Sequence, residues 1–217
     1  MTQTIIIADD HPLFRSALEV ALTQILPAAQ FYEAGTIPHL QTLLGEIESP
    51  DIIFLDLQMP GAHGFSSLIF LKSHYPDIPV IIISAHNAPK IIQKSIHFGA
   101  SGFIPKTVSL SIIRKAIEQI QSGNVWVPYD INYKDIGNDD SHNIASRLST
   151  LTPQQFRVLS MISDGMLNKQ IAYDLDVSEA TIKAHVTAIF KKLNVRSRTQ
   201  AVIAIKPLEI DIPDDPL

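Results

Sequence analysis

The sequence predicts an α/β domain with a doubly wound, five-stranded parallel sheet, followed by a small all-α domain of four helices. Three observations carry this. Short β-branched or aromatic runs alternate with helical periodicities through residues 1–124; residues 125–147 hold four Asp, three Asn, a Pro and a Gly and no sustained period; and from Leu148 onward the pattern is purely helical. Strand–helix repeats need a parallel sheet covered on both faces by crossover helices.

The strand runs are Ile5–Ala8, Phe31–Glu33, Ile52–Leu55, Val80–Ile83 and Gly102–Ile104. The third and fourth are continuously apolar, as strands buried on both faces should be. Between them, apolar residues recur at steps of three and four: Leu13, Ala17, Leu18, Leu22 and Ile25; Leu40, Leu43, Leu44 and Ile47; Leu68, Leu71 and Tyr75; Ile91, Ile92 and Ile96; Ile113, Ala116, Ile117 and Ile120. Residues 125–147 read as a linker, with Trp126 packing back on the first domain. In residues 148–205, Thr152-Pro153-Gln154-Gln155 is a helix start with a capping box, and that helix runs to Ser163, ended by Asp164-Gly165. A second spans Asn168–Leu175, a third is capped by Ser178 and runs to Leu193, and a fourth spans Thr199–Ile205, stopped by Pro207. Residues 206–217 form an acidic, frayed tail.

The chain has 217 residues, 46% of them apolar and 18% charged, which is globular composition. It has no cysteine, which removes disulfides, thiolate metal sites and thiol nucleophiles. The apolar start stops at Asp9, too early for a signal peptide, and no apolar run approaches a membrane span, so a soluble cytoplasmic protein with no membrane partner is expected. The net charge of −5 is uneven: residues 1–124 are acidic, residues 148–205 basic, and the tail acidic again. Only the helical module is then suited to a polyanion.

Asp9 and Asp10 follow the first strand and Asp56 ends the third. In a flavodoxin-like strand order, 2-1-3-4-5, these strands are neighbours and ligands sit beyond their carboxyl ends. Taken singly, an Asp pair there is more often a helix cap, a Ser a cap and a Lys a solvated charge. Together, converging carboxylates repel unless a cation neutralises them, and hard oxygens suit Mg²⁺. Ser84 at the end of the fourth strand and Lys106 after the fifth complete a nucleophile, cation, hydroxyl and ammonium suited to phosphoryl transfer.

The motifs Asp9-Asp10-His11-Pro12, Phe54-Leu55-Asp56-Leu57-Gln58-Met59-Pro60-Gly61, Ser84-Ala85 and Gly99-Ala100-Ser101-Gly102-Phe103-Ile104-Pro105-Lys106 resemble the receiver domain of bacterial response regulators. The resemblance implies that a sensor histidine kinase phosphorylates Asp56. It implies Mg²⁺ (or Mn²⁺) held by Asp10 and Asp56, by Asp9 through water, and by the main-chain carbonyl of Gln58. Ser84 would bond the phosphoryl group, Lys106 would pair with it, and Phe103, at the aromatic switch position, would turn inward as the pocket closes. Thr107 departs from the proline common after that lysine.

In the third C-terminal helix, Ile182, Val186, Ile189 and Leu193 share one face, and Lys183, Thr187 and Lys191 form a second stripe. From spacing alone, a helix-turn-helix and a small bundle with a solvated lysine face fit equally. The segments Leu151-Thr152-Pro153, Asn168-Lys169-Gln170-Ile171-Ala172, Val177-Ser178-Glu179-Ala180-Thr181-Ile182-Lys183-Ala184-His185 and Lys192-Leu193-Asn194-Val195-Arg196-Ser197-Arg198-Thr199 resemble the LuxR-type DNA-binding domain. With the receiver, the whole is similar to a NarL/FixJ-type response regulator. By this resemblance Lys183, Ala184 and Thr187 meet base edges of an operator duplex, and Thr181, Lys191, Lys192 and Arg196 meet phosphates. Thr199, Val202 and Ile203 lie on the face of the DNA-bound homodimer, and RNA polymerase is a candidate further partner. Leu167 stands where a Ser or Thr often caps the second helix, leaving Asn168 to cap it, and Asp176 replaces a usual Gly in the turn, where Asp tolerates a left-handed conformation better than most residues.

The reading is a phosphorylation-controlled transcription regulator, not an enzyme beyond transfer to and loss from its own Asp56. The unphosphorylated receiver is expected to restrain the module, an acidic domain against a basic helix. The rivals are the same fold working without phosphate and an aspartyl phosphatase; the latter wants a second Asp where Gln58 stands.

Overall fold

The computed structural model describes residues 2–128 and 141–210. The middle of the expected linker, 129–140, and the end of the acidic tail, 211–217, lie outside the described residues. Five strands form one parallel sheet: β1 (Thr4–Ala8), β2 (Gln30–Ala34), β3 (Ile52–Leu55), β4 (Val80–Ser84) and β5 (Gly102–Pro105). Their order is β2-β1-β3-β4-β5. The crossovers are α1 (Pro12–Ile25), α2 (Ile37–Glu46), α3 (Ser66–His74), α4 (Pro89–His97) and, after β5, α5 (Leu110–Gln121).

Every residue of β3 and β4 is buried, so their unbroken apolar runs are filled on both faces. One face carries Ile5, Ile7, Phe54, Ile81, Ile83 and Ile104 and is covered by Leu18 and Leu22 of α1 and Ile113, Ala116 and Ile117 of α5. Alternation sends Ile6, Ile53, Leu55, Ile82 and Phe103 to the other face, under α2, α3 and α4. Leu13, which shares the helical period of α1, is 89% exposed: only Leu18 and Leu22 of that helix are buried. Trp126 pairs with Gly102, and its carbonyl accepts from Phe103 N at 3.0 Å, so the chain leaves the sheet as an extension of its β5 edge.

The helical unit contains α7 (Pro153–Ser163), α8 (Asn168–Asp174), α9 (Glu179–Leu193) and α10 (Arg198–Ile205). The capping box is present: Thr152 Oγ1 accepts from Gln155 N at 3.3 Å and Gln155 Oε1 accepts from Thr152 N at 3.1 Å. Asp176 takes the left-handed conformation, φ 51°. Asn168 does not cap α8; Leu167 is the cap residue, and Gln170 Oε1 accepts its N–H at 2.7 Å. The reading of four helices is short by one. Residues expected to end the linker form α6 (Ser141–Leu148), two turns long, whose Ile144, Ala145 and Leu148 are buried. Alone, a helix this short is unstable; packing on α3 and α9 makes it. After α10 a 3₁₀ turn spans Lys206–Leu208.

The second face of the sheet does not end at its own helices. Its core runs without interruption through α3 into Ile144, Leu148, Phe156, Leu159, Ile182 and Leu208 of the helical unit. Phe70 of α3 and Phe156 of α7 stack with centroids 4.5 Å apart and planes 18° apart. Beside them Ser160 Oγ donates to Gly61 O at 3.1 Å, and His63 Nε2 lies 3.2 Å from Ser160 O and 3.4 Å from Asp164 Oδ1. No helix among the described residues is long and apolar enough to cross a membrane.

Because Phe156 is 2% exposed and bridges the two units, Phe156→Ala should cost about 3–5 kcal/mol. It should also separate the unfolding of the helical unit from that of the sheet. Urea unfolding followed by far-UV circular dichroism and by Trp126 fluorescence checks this; coincident curves in the variant contradict it.

Candidate functional site

The register Ala8↔Leu55 places the ends of β1 and β3 side by side, so Asp9 and Asp56 emerge next to each other. Asp56 N donates to Ala8 O at 2.8 Å, which ties the two strand ends together. Lys106, leaving β5 two strands away, reaches across: its Nζ lies 2.6 Å from Asp9 Oδ2 and 2.8 Å from Asp56 Oδ2. The Phe14 ring lies under this ammonium, 4.7 Å from centroid to Nζ. Ser84, fully buried at the end of β4, accepts from His86 N at 3.1 Å. Gln58 N donates to Asp56 Oδ1 at 3.1 Å. The sequence-predicted pocket residues thus converge, and Asp10 stands at its half-buried rim.

Two residues were not singled out in the sequence. His11 Nδ1 lies 2.8 Å from Asp10 Oδ1 and 3.1 Å from Asp9 Oδ1. Arg15 Nη1 donates to the main-chain carbonyl of Asp9 at 2.6 Å, while its Nε donates to Glu33 Oε2 at 2.8 Å. Arg15 lies one helical turn after His11, a spacing that could have marked it, but its partner Glu33 is distant in sequence. Phe103 is fully buried, because β5 directs it into the α4 side of the core.

The pocket suits a hard divalent cation. One oxygen each of Asp9, Asp10 and Asp56 and a nitrogen of His11 lie within 4.8 Å of one another. Asp9 Oδ2 and Asp10 Oδ1 are buried beside the Lys106 ammonium and the His11 imidazole, and three converging carboxylates are the oxygen donors a hard divalent cation takes. Burial is the largest influence on Asp56 and lifts its carboxyl above the ordinary value; the Lys106 hydrogen bond and charge and the Gln58 N–H pull it back, and the Asp9 charge raises it. Burial works to lower the Lys106 ammonium, but its bonds and charge contacts with Asp56 and Asp9 outweigh this and leave it raised.

On the helical unit, Ile182, Ile189 and Leu193 of α9 are buried and Val186 is half-buried, while Thr181, Lys183, Ala184, Thr187 and Lys191 are exposed along the opposite side, with Arg196 beyond the helix end. Lys192 is differently engaged: its Nζ donates to Thr150 O at 2.6 Å and to Gln155 Oε1 at 2.7 Å, bracing the start of α7. On α10, Thr199 and Ile203 are exposed and Val202 is half-buried. The contact between units is not acidic receiver against basic helix. Apolar surfaces of α3, α6 and α7 and the turn at Leu208 make it, because burying aromatic and aliphatic area outweighs pairing of solvated charges.

Residues 5–118 match the family described as response regulator receiver domain, and residues 149–205 match bacterial regulatory proteins, luxR family. The chain is 43% identical to the glycerol metabolism activator of Pseudomonas putida, over 92% of this chain and 93% of that one. It is 32% identical to the nitrate/nitrite response regulator protein homolog of Haemophilus influenzae, covering 92% and 94%. Among solved structures it is similar in fold to RcsB of Salmonella enterica serovar Typhimurium bound to a promoter in the presence of BeF₃⁻ (TM-score 0.55, 23% identity, 95% of this chain and 98% of that chain). A structure of two RcsB dimers bound to two parallel DNAs gives TM-score 0.56 at 24% identity, covering 96% and 98%.

A carboxyl whose pKa is higher in the folded chain binds more protons there, so its contribution to stability falls as pH rises from the ordinary 3.8 through the raised folded value. Asp56→Asn should therefore raise the melting temperature at pH 7 without divalent cations, and the gain should shrink towards pH 4. Each tenfold change in proton affinity is worth about 1.4 kcal/mol. Thermal unfolding at both pH values checks the sign; a lower melting temperature of the variant at pH 7 contradicts it.

Proposed function

The chain belongs to the NarL/FixJ-type response regulators, in which a receiver domain is joined to a LuxR-type DNA-binding domain, and on that premise we propose that Asp56 is the phosphoacceptor through which a sensor histidine kinase controls DNA binding. The observation that carries this is the bridge from Lys106 Nζ to Asp9 Oδ2 and Asp56 Oδ2. A buried carboxylate held by an ammonium beside two further acidic groups is poised as a nucleophile. An Asp56 oxygen attacks the phosphorus of a phosphohistidine; the P–N bond breaks as the P–O bond of an acyl phosphate forms, and the imidazole leaves carrying the proton it needs. Lys106 follows the negative charge onto the phosphoryl oxygens, and the Ser84 hydroxyl donates to one of them. Asp10, Asp56, the main-chain carbonyl of Gln58 and, through water, Asp9 would hold Mg²⁺ or Mn²⁺, which would supply positive charge against the transferring group. Later hydrolysis of the acyl phosphate returns Asp56 to its carboxylate.

The protein is a DNA-binding transcription regulator. Lys183, Ala184 and Thr187 read base edges in the major groove, while Thr181, Lys191 and Arg196 contact phosphates. Lys192 reaches a phosphate only if it releases Gln155. Thr199, Val202 and Ile203 pair two copies on half-sites about one helical turn, roughly 10 base pairs, apart. The protein works in the cytoplasm, where its kinase and operator meet; the relative named as a glycerol metabolism activator supports activation, and RNA polymerase is a candidate further partner. Because the α9 stripe is already exposed, weak DNA binding without phosphate is a second reading.

Incubation with acetyl phosphate and Mg²⁺ should add the mass of one phosphoryl group to the parent chain and none to Asp56→Asn; equal labelling removes Asp56 from the role. Lys183→Ala should cost about 1–3 kcal/mol at one base-pair position. Lys191→Ala should weaken all sequences alike and lower the salt slope by about one. Binding isotherms on operator and scrambled DNA at several salt concentrations separate the two roles; a uniform loss from Lys183→Ala overturns the first.

A further inference from the structure

We propose that Gln155 is a positioning residue for DNA: its neutral carboxamide holds the Lys192 ammonium over the start of α7 with its charge uncancelled, ready for a phosphate of the duplex backbone. The inference rests on the reading of Lys192 as a phosphate contact. Lys192 Nζ donates to Gln155 Oε1 at 2.7 Å and to Thr150 O at 2.6 Å. Gln155 Oε1 also accepts from Thr152 N at 3.1 Å, closing the capping box. Both donors need the amide oxygen, so turning the amide around would lose both bonds. The two acceptors of this ammonium are uncharged oxygens. They fix its place without neutralising it.

A carboxylate at residue 155 would do more for the fold. It would close the same capping box, meet the positive end of α7 and form an ion pair with Lys192. The first turn of α7 carries no acidic residue, so the helix forgoes that stabilisation. The advantage lies on the DNA side. Of the cations assigned to the duplex, Lys183 already has an ion pair within the protein, to Glu179 Oε1 at 3.0 Å. A carboxylate at residue 155 would pair Lys192 as well, and a cation neutralised within the protein releases fewer counterions from DNA. A phosphate oxygen, being charged, takes the ammonium from a carboxamide; over a carboxylate it would have no such advantage. The amide thus keeps a charge available that the more stabilising side chain would remove.

The test compares full-length chains, all treated with acetyl phosphate and Mg²⁺, on a fluorescein-labelled duplex of scrambled sequence, because phosphate contacts do not depend on sequence. Gln155→Glu should melt no lower than the parent, yet bind roughly three- to tenfold more weakly, with a salt slope lower by about one. Gln154→Glu adds the same charge at the neighbouring position and should leave the slope at the parent's value. An unchanged slope or a lower melting temperature in Gln155→Glu overturns the inference. So does an equal loss of slope in Gln154→Glu, which would make the effect one of added charge alone. Lys192→Ala keeps the two readings apart. If it lowers the slope by about one while Gln155→Glu does not, only the role of Gln155 falls. If it leaves the slope unchanged, Lys192 is no phosphate contact, and the inference falls with that reading.

Discussion

Two buried carboxylates side by side demand a cation, and the ends of β1 and β3 impose that demand. Strand register leaves Asp9 and Asp56 no room to separate, because main-chain bonds hold their backbones. Lys106 answers from β5, and its position requires β4 and β5 to lie where the 2-1-3-4-5 order puts them. Arg15 and Glu33 brace the same loop from α1 and β2. All five strands therefore contribute to one electrostatic arrangement: three through charge on the pocket, β4 through the Ser84 hydroxyl and β2 through the brace. The raised Asp56 pKa measures what burial still costs after these compensations.

The second constraint is apolar. The α3 face of the sheet is too rich in large side chains to be left against water, and Phe70 stacked on Phe156 marks where another unit covers it. Docking by shared core is strong but undirected by charge, so it leaves the α9 stripe exposed. The small polar bonds at the seam, Ser160 to Gly61 and His63 to Ser160, set the register of that docking.

Pocket and seam are linked through main chain. The loop after Asp56 is also the loop that carries Gly61, His63 and Gly64, so pocket and seam share one piece of backbone. Phe103 is buried on the α4 side of the sheet, and the loops after β3 and β4 carry main-chain bonds to Asp56 and Ser84.

Periodicity and turn chemistry made the strands and nine of the ten α-helices among the described residues legible from the sequence, while the strand order and the pocket residues Asp9, Asp10, Asp56, Ser84 and Lys106 followed from the doubly wound rule and the resemblance to receiver domains. These are local signals, or follow from the rule that parallel strands present their carboxyl ends together. Capping residues at Thr152 and Ser178 behaved as their hydrogen-bonding groups dictate. What the sequence could not determine depends on partners far along the chain. Helix α6 is too short to declare itself and exists because α3 and α9 cover it. Leu13 keeps the helical period yet faces water, since period alone does not say which side of α1 meets the sheet. Arg15 finds Glu33, Lys192 finds Thr150 and Gln155, and Gly64 finds the Leu208 carbonyl only after the chain has closed. Whether the units would meet by charge or by shared core was likewise decided in three dimensions, because the area each face buries is a property of the assembled surface.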